Sequence, residues 1–530
     1  MNFRLPVFVT ALSLAAVLTT APAWSNGSRI SAAIRGLVAA ESVGDSSVSG
    51  ALRQFYDARN DVPAWVDDSK RLAALMAILA DAPQQGLAFP VANSLVTGGP
   101  ATAAARDVAL TRLALGYATA LALGRVRPED FETDWAIPGR AFDAAAGLNR
   151  ALEGDLAAWY AGLPPDETAY RRLVAALARY RKIAASGGWA SVPRGVPLKL
   201  GMEDPRVPLL RRRLEAEGDL REAAAPAAAV ATAPAGDPNT VFDDTLEAAV
   251  KRFQSRHGIA VDGTVGPRTL AAMNVPVRAR VGQIELNLER WRSLPHDFGA
   301  RFMMVNVPAE RLTIVDHDVP VITMKVVVGD PKHPTPVMRT SMVAVTLNPT
   351  WTIPTSIVTQ DLLPKSRRHP DYLLKNDIVF TPGRGWQQMP GPKNPLGRIK
   401  FESPNRFDVY LHDTPSRFVF DHYFRAQSHG CVRLERADEV ADFVLQRTGW
   451  TPPELTAAVA SGATLHIQLK RRWPVYLVYA TSFVDEDGAV EFRDDLYGRD
   501  ARLRAALAAA RQKRDGIARR MPPGATLGHS

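Results

Sequence analysis

The hydrophobic pattern of this chain changes period near residue 300, and that change limits the folds open to it. Before that point apolar residues recur at three- and four-residue intervals, as in Leu72-Leu75-Leu79, Leu113-Tyr117-Leu121 and Val207-Leu210-Leu214. Such spacing lines one face of an α-helix. After a helix-like segment at Gln283 to Trp291, alternating β-branched runs take over: Phe302–Val307, Leu312–Val315, Val321–Val328, Met342–Leu347, Arg398–Phe401, Phe407–Leu411 and Leu465–Leu469. Side chains of a strand point alternately to its two faces, so these runs predict a mainly β domain. A chain of 530 residues also exceeds what one core organises. The expectation is a multidomain α+β protein.

Ser28 to Gly187 is rich in alanine, leucine and arginine and reads as all-helical. Phe55, Tyr56 and Trp65 could form a sugar-stacking platform, but aromatics at that spacing read as core. Val207 to Asn274 holds helical patterns at Val207-Leu210-Leu214 and Leu246-Val250-Phe253, then a turn at Asp262-Gly263 before a third helix. The Ala/Pro-rich stretch Glu222 to Pro238 between them reads as a flexible insertion. Thr352 to Gly397 interrupts the strands with seven prolines, too many for interior strands, and reads as an inserted lid subdomain. Val475 to Val484 and Val490 to Arg493 flank Asp485-Glu486-Asp487-Gly488 as a hairpin, and a basic helix from about Arg499 to Arg514 precedes the tail.

The single cysteine, Cys431, lies in Ser428-His429-Gly430-Cys431-Val432-Arg433-Leu434. Met1 to Ala23 reads as an export signal, with Arg4, an apolar run Leu5 to Thr20 and the small residues Ala21-Pro22-Ala23. That run is shorter than the ~20 residues of a spanning helix, so signal cleavage leaves no stable membrane insertion. A lone cysteine in an oxidising compartment has no intramolecular disulfide partner, and histidines beside it point to a nucleophilic thiol. Phe407 to Leu411 delivers His412 at a strand end, whereas Ser428 to Arg433 is turn-like ahead of a helical pattern at Glu435 to Arg447. A nearby histidine and a helix start would lower the thiol pKa from about 8.5. The N–H groups around Gly430 and Cys431 would form an oxyanion hole.

His412-Asp413-Thr414 and Ser428-His429-Gly430-Cys431-Val432-Arg433 resemble the signature of L,D-transpeptidases with a YkuD-type catalytic domain. Ala249 to Gln254, with Asp262 to Gly266 and Thr269-Leu270, resembles the small three-helix peptidoglycan-binding module. The whole resembles the large multidomain branch of the family. Together the residue patterns and the resemblance divide the chain into a signal peptide at 1–23, a helical scaffold domain at 24–200, a peptidoglycan-binding-like domain at 201–280 with its insertion at 222–238, a catalytic domain at 281–484 with its lid at 352–397, and a C-terminal hairpin, helix and tail at 485–530. It makes Cys431 the nucleophile and His412 its general base, oriented by a backbone carbonyl near Asp413. Ser428, His429 and Gly430 shape the site or the oxyanion hole, and Arg433 braces the loop or meets substrate carboxylates.

The implied reaction is attack of Cys431 on the peptide bond after the L-centre of the third residue of a tetrapeptide stem, releasing D-alanine. An amine of a neighbouring stem then resolves the thioester and leaves a 3→3 cross-link. The implied partners are tetrapeptide stems as donor and acceptor and the glycan wall polymer, with no cofactor and no metal, in the periplasm. Water as acceptor would make the protein a thiol L,D-carboxypeptidase or endopeptidase, and a non-enzymatic wall-binding scaffold would leave the cysteine unexplained. A metal peptidase using His412, His422, His429 and Cys431 lacks an HExxH pair. The net charge of +9, or +8 without Arg4, is spread too thinly to indicate nucleic acid.

Overall fold

The computed structural model describes residues 26–40, 46–66, 68–89, 102–220 and 239–520. The expected export signal at Met1 to Ala23, the insertion at Glu222 to Pro238 and the tail beyond Arg520 lie outside the described residues. Among the described residues no helix is long and apolar enough to cross a membrane.

The N-terminal region is helical, with Asn26–Ala40, Ser46–Asp57, Ser69–Ala80, Ala103–Leu123, Ala144–Glu153 and Leu156–Ala161 around one apolar core. Phe55, Tyr56 and Trp65 are fully buried in that core. Their polar ends explain why. The Tyr56 hydroxyl donates to Asp107 at 2.7 Å, Trp65 Nε1 donates to Thr111 at 2.9 Å, and Asp107 also accepts the backbone N–H groups of Trp65 and Val66. A buried carboxylate needs such donors, and here they fix the turn between two helices.

Three helices, Val207–Glu217, Asp244–Arg256 and Pro267–Met273, make the second unit around Leu210, Leu214, Phe242, Val250 and Phe253. The motif residues are structural: Gln254 Nε2 donates to Asp262, the Thr264 carbonyl and Thr269, while Gly263 N–H donates back to Gln254. Gly263 is left-handed at φ +71°, which favours glycine. The helix expected at Gln283 to Trp291 runs Val277–Ser293. Pro276 caps its start. Arg278 and Arg280 mask the apolar period there, yet Val277 packs with Ile284 and Leu288 against the helix Thr168–Ala185.

The strands are β1 Trp135–Ala136, β2 Arg301–Asn306, β3 Arg311–Asp316, β4 Val319–Gly329, β5 Val337–Leu347, β6 Trp351–Thr352, β7 Ile378–Thr381, β8 Gly385–Gln388, β9 Ile399–Glu402, β10 Leu411–His412, β11 Ala426–Ser428, β12 Val432–Leu434, β13 Leu465–Val478, β14 Ser482–Val484 and β15 Val490–Phe492. The order β5-β13-β2-β3-β4-β12-β10-β9 closes on itself because β9 also pairs with β5. The closed sheet surrounds Met303, Val305, Leu312, Val326, Val345, Phe401, Leu411, Val432 and Val475. β1, from the helical region, adds in parallel to the free stretch of β5 at Val337 and Met338.

Three strand expectations change. Only Leu411–His412 joins the ladder from the expected Phe407–Leu411, because the Asn405 side chain accepts the Phe407 N–H at 2.9 Å, donates to the Val409 carbonyl at 2.7 Å and holds a turn. Asp408 within it is left-handed at φ +53°. Leu465–Leu469 and Val475 onward are one strand, β13, whose register shifts between Gln468 and Trp473. A bulge there absorbs the Lys470-Arg471-Arg472 run that broke the sequence alternation. The hairpin proper begins at Ser482, so a division at 484/485 cuts through it.

Residues 351–388 form a small unit of their own, a three-stranded sheet β6-β8-β7 with short helices over Ile353, Val358, Leu362 and Ile378. Its prolines flank the strands rather than enter them.

Candidate active site

β10 and β12 run parallel with His412 opposite Arg433 and Leu411 opposite Val432. Leu411 and Val432 point into the core, so period-two alternation turns His412 and Arg433 outward, and with them Tyr410 and Cys431 one step away. β9 adds Lys400 opposite His412. Lys400, His412 and Arg433 thus form a row across three strands, at ~4.8 Å spacing, beside Tyr410 and Cys431.

His412 is 4 % exposed. Its Nδ1 lies 2.5 Å from the Asp413 carbonyl. A carbonyl only accepts, so Nδ1 carries the proton and Nε2 is left as a basic nitrogen. The carboxylate of Asp413 faces elsewhere and accepts the Arg398 N–H at 2.8 Å, directly after Gly397, which is left-handed at φ +64°. A Cβ at Gly397 would clash with the Asp413 carboxylate, so glycine lets the chain ahead of β9 pack against it. Burial pushes the His412 pKa down to about 3, reinforced by the Arg433 and Lys400 charges and opposed by the main chain of Asp413 and Leu396.

Cys431 is partly exposed, and its Sγ contacts the Asp408 carbonyl at 3.7 Å. Burial pushes the thiol up; the main chain and hydroxyl of Tyr410 and the charges of Lys400 and Arg433 pull the other way without overcoming it. No hydrogen bond joins Cys431 to His412 among the described residues, and burial shifts both groups toward their neutral forms.

Ser428 Oγ donates to the Cys431 carbonyl at 2.6 Å and accepts the Gly430 N–H at 3.1 Å. The Gly430 N–H, expected in an oxyanion hole, is engaged by Ser428 in this structure. Gly430 has φ +107°, which admits only glycine comfortably. A second loop, between β4 and β5, lies alongside. Asp330 N–H donates to the Ser428 carbonyl at 2.9 Å, and Thr335 Oγ1 donates to the Gly430 carbonyl at 2.8 Å while accepting the Gly329 N–H at 2.9 Å. The exposed His429 ring packs on His333, ring centres 4.4 Å apart.

Residues 300–459 match the YkuD family, described as the L,D-transpeptidase catalytic domain. The chain carries an L,D-transpeptidase catalytic domain. Residues 50–177 match the scaffold domain family and 203–273 the family described as "Putative peptidoglycan binding domain". A "Putative L,D-transpeptidase" of Haemophilus influenzae is 30 % identical over 243 residues, covering 42 % of this chain and 49 % of that protein. The chain thus spans about half the length of the curated relative it matches. Among solved structures, an L,D-transpeptidase of Xylanimonas cellulosilytica shares 15 % identity over 54 % of this chain and 99 % of its own, at a TM-score of 0.19. One from Mycobacterium smegmatis shares 13 % over 34 % of this chain and 58 % of its own, also at 0.19.

Within the L,D-transpeptidase domain, β12 and two further residues separate Cys431 from the helix Ala437–Leu445. The helix expected from Glu435 therefore starts two residues farther along the chain from the thiol. Arg433 is half-buried, and its buried Nε has no hydrogen-bond partner. Lys400 reaches Glu402 at 2.9 Å and lies over the Tyr410 ring at 4.4 Å. Among the described residues no group of three or more His, Cys, Asp or Glu is arranged to hold a metal.

Sequence reasoning missed Tyr410, Lys400, Thr335 and His333. Tyr410 was within reach, because a residue two before His412 shares its face of an extended chain. Lys400 and the β4–β5 loop depend on strand neighbours that local sequence does not encode.

Proposed function

We propose that the protein is a peptidoglycan L,D-transpeptidase that forms 3→3 cross-links in the periplasm. Cys431 is the nucleophile and His412, through Nε2, its general base. The observation that carries this reading is the shared outward face of a lone, partly exposed thiol and an imidazole of fixed tautomer. Proton transfer from thiol to imidazole accompanies attack on the donor carbonyl, since burial opposes a resting thiolate. The tetrahedral oxyanion lies at the Cys431 N–H, D-alanine leaves, and a thioester remains. An amine of a second tetrapeptide stem then attacks that thioester. Arg433, with its unsatisfied buried Nε beside the thiol, suits a donor carboxylate.

The family matches at 203–273 and 300–459 support a wall polymer as partner, and Met1 to Ala23 supports export. The test is mass spectrometry of purified enzyme with disaccharide-tetrapeptides. The expected result is an acyl-enzyme on Cys431 and a cross-linked dimer. Tripeptide without dimer would make the protein a carboxypeptidase, and the absence of an acyl-enzyme would overturn the thiol mechanism.

A further inference from the structure

The acceptor of a transpeptidase arrives as an ammonium and must lose a proton before its nitrogen can attack. His412 is sealed from solvent at 4 % exposure and already serves the thiol. A second imidazole stands on the open side of the nucleophile loop. His333 is exposed, its Nδ1 lies 3.1 Å from Asp330 Oδ1 and its ring packs tilted against His429, two residues before Cys431. The Asp330 carboxyl also accepts the backbone N–H groups of Lys332 at 2.7 Å and His333 at 2.8 Å. Partial burial raises its pKa, but the bonds from His333 and these N–H groups prevail and hold it below the ordinary range, so it is ionised. An ionised carboxylate only accepts, so the His333 Nδ1 must carry the proton. Nε2 is then the ring nitrogen left for an incoming group, and the carboxylate fixes the ring's orientation. The loop is docked on the nucleophile loop at both ends, through Asp330 to Ser428 and Thr335 to Gly430.

We infer that His333 is a catalytic residue of the second half-reaction, the general base that deprotonates the acceptor ammonium, with Asp330 as its positioning residue. The inference rests on the transpeptidase reading above. The acceptor R–NH₃⁺ gives one proton to His333 Nε2. The amine nitrogen attacks the thioester carbonyl, the C–N bond forms and the C–S bond breaks. The second proton passes through His412 to the departing sulfur, which regenerates the thiol, and His333 returns its proton to solvent.

The test compares two acceptors on the full chain. Wild type, His333→Phe and Asp330→Asn are acylated with a tetrapeptide donor, and each acyl-enzyme is challenged with a diaminopimelate-containing stem or with methoxyamine, which is unprotonated at neutral pH. Phenylalanine keeps the ring against His429 and removes the base. The expected result is acylation within about twofold of wild type, aminolysis by the stem slowed roughly 10²-fold in His333→Phe, and less in Asp330→Asn, as for loss of a general base. Methoxyamine should react at nearly the wild-type rate. Equal slowing with both amines would reduce the loop to a shaping role and overturn the inference, as would no slowing with either. A wild-type acyl-enzyme resolved by water alone would overturn it while leaving the thiol chemistry standing; failure of acylation in wild type would overturn the transpeptidase reading itself.

Discussion

At the scale of residues, a Cys431–His412 pair that burial shifts toward its neutral forms has consequences that differ from those of a preformed thiolate. Cys431→Ala should abolish acyl-enzyme formation, and His412→Ala should slow it by roughly 10²–10⁴-fold, measured by intact-protein mass against time. His429→Ala should be the milder change, since that ring is exposed and bonds neither the thiol nor His412; a larger effect there would reassign the base. Because burial raises the thiol pKa, iodoacetamide alkylation of Cys431 should keep rising with pH through the ordinary thiol range, without a plateau at neutral pH. For His412 the linkage has the opposite direction. Its pKa falls from 6.5 to about 3 on folding, so between those values the unfolded chain binds more protons. Its contribution to stability is complete above 6.5 and is lost as pH falls toward 3. Urea midpoints across that window should slope less steeply in His412→Ala.

At the scale of elements, the nucleophile loop is held by a neighbouring loop as much as by its own strands. Thr335→Val keeps the volume and removes the hydroxyl that joins Gly329 to Gly430. Leaving buried polar groups unpaired costs about 1–3 kcal/mol. The expected outcome is a lower melting temperature and slower acylation by a carbapenem, whose strained lactam carbonyl the Cys431 thiol should attack as it attacks the donor, both read on the same sample; a normal acylation rate would show that the loop needs no such brace. Gly329→Ala should be worse, because its Cβ would lie 2.1 Å from the His333 carbonyl. The carbapenem itself should attach once, at Cys431, which peptide mapping checks.

At the scale of the whole molecule, the units are bolted together through buried charges. Arg499, 1 % exposed, bonds the Thr335 carbonyl and pairs with Asp134 and Glu132 of the helical region, next to the stretch where β1 extends the catalytic sheet. Arg256 similarly pairs with Glu217 and Asp219 within the three-helix unit and reaches the Val490 carbonyl of the hairpin. Removing one partner of a buried pair typically costs 3–5 kcal/mol, so Arg499→Met should lower stability by about that much. Carbapenem acylation of the surviving folded fraction should be slower, because the contact to Thr335 is gone. Pull-down of the full chain with wall sacculi tests the polymer partner: retention is expected, weakening modestly as salt rises.

The local sequence already determined the helical and β halves, the three-helix unit and its Asp262-Gly263 turn, and the outward thiol and imidazole, because periodicity, turn chemistry and a lone cysteine act over a few residues. It misjudged Phe407–Leu411 where an asparagine side chain outcompeted the ladder, and it split β13 where a bulge absorbed a basic run. Closure of the sheet through β5 and β9, the row of Lys400, His412 and Arg433, the engagement of the Gly430 N–H by Ser428 and the approach of His333 to His429 were decided only by the tertiary structure. Each depends on which strands and loops become neighbours, and that choice is made by burial of the common core rather than by any preference of the residues that end up facing one another.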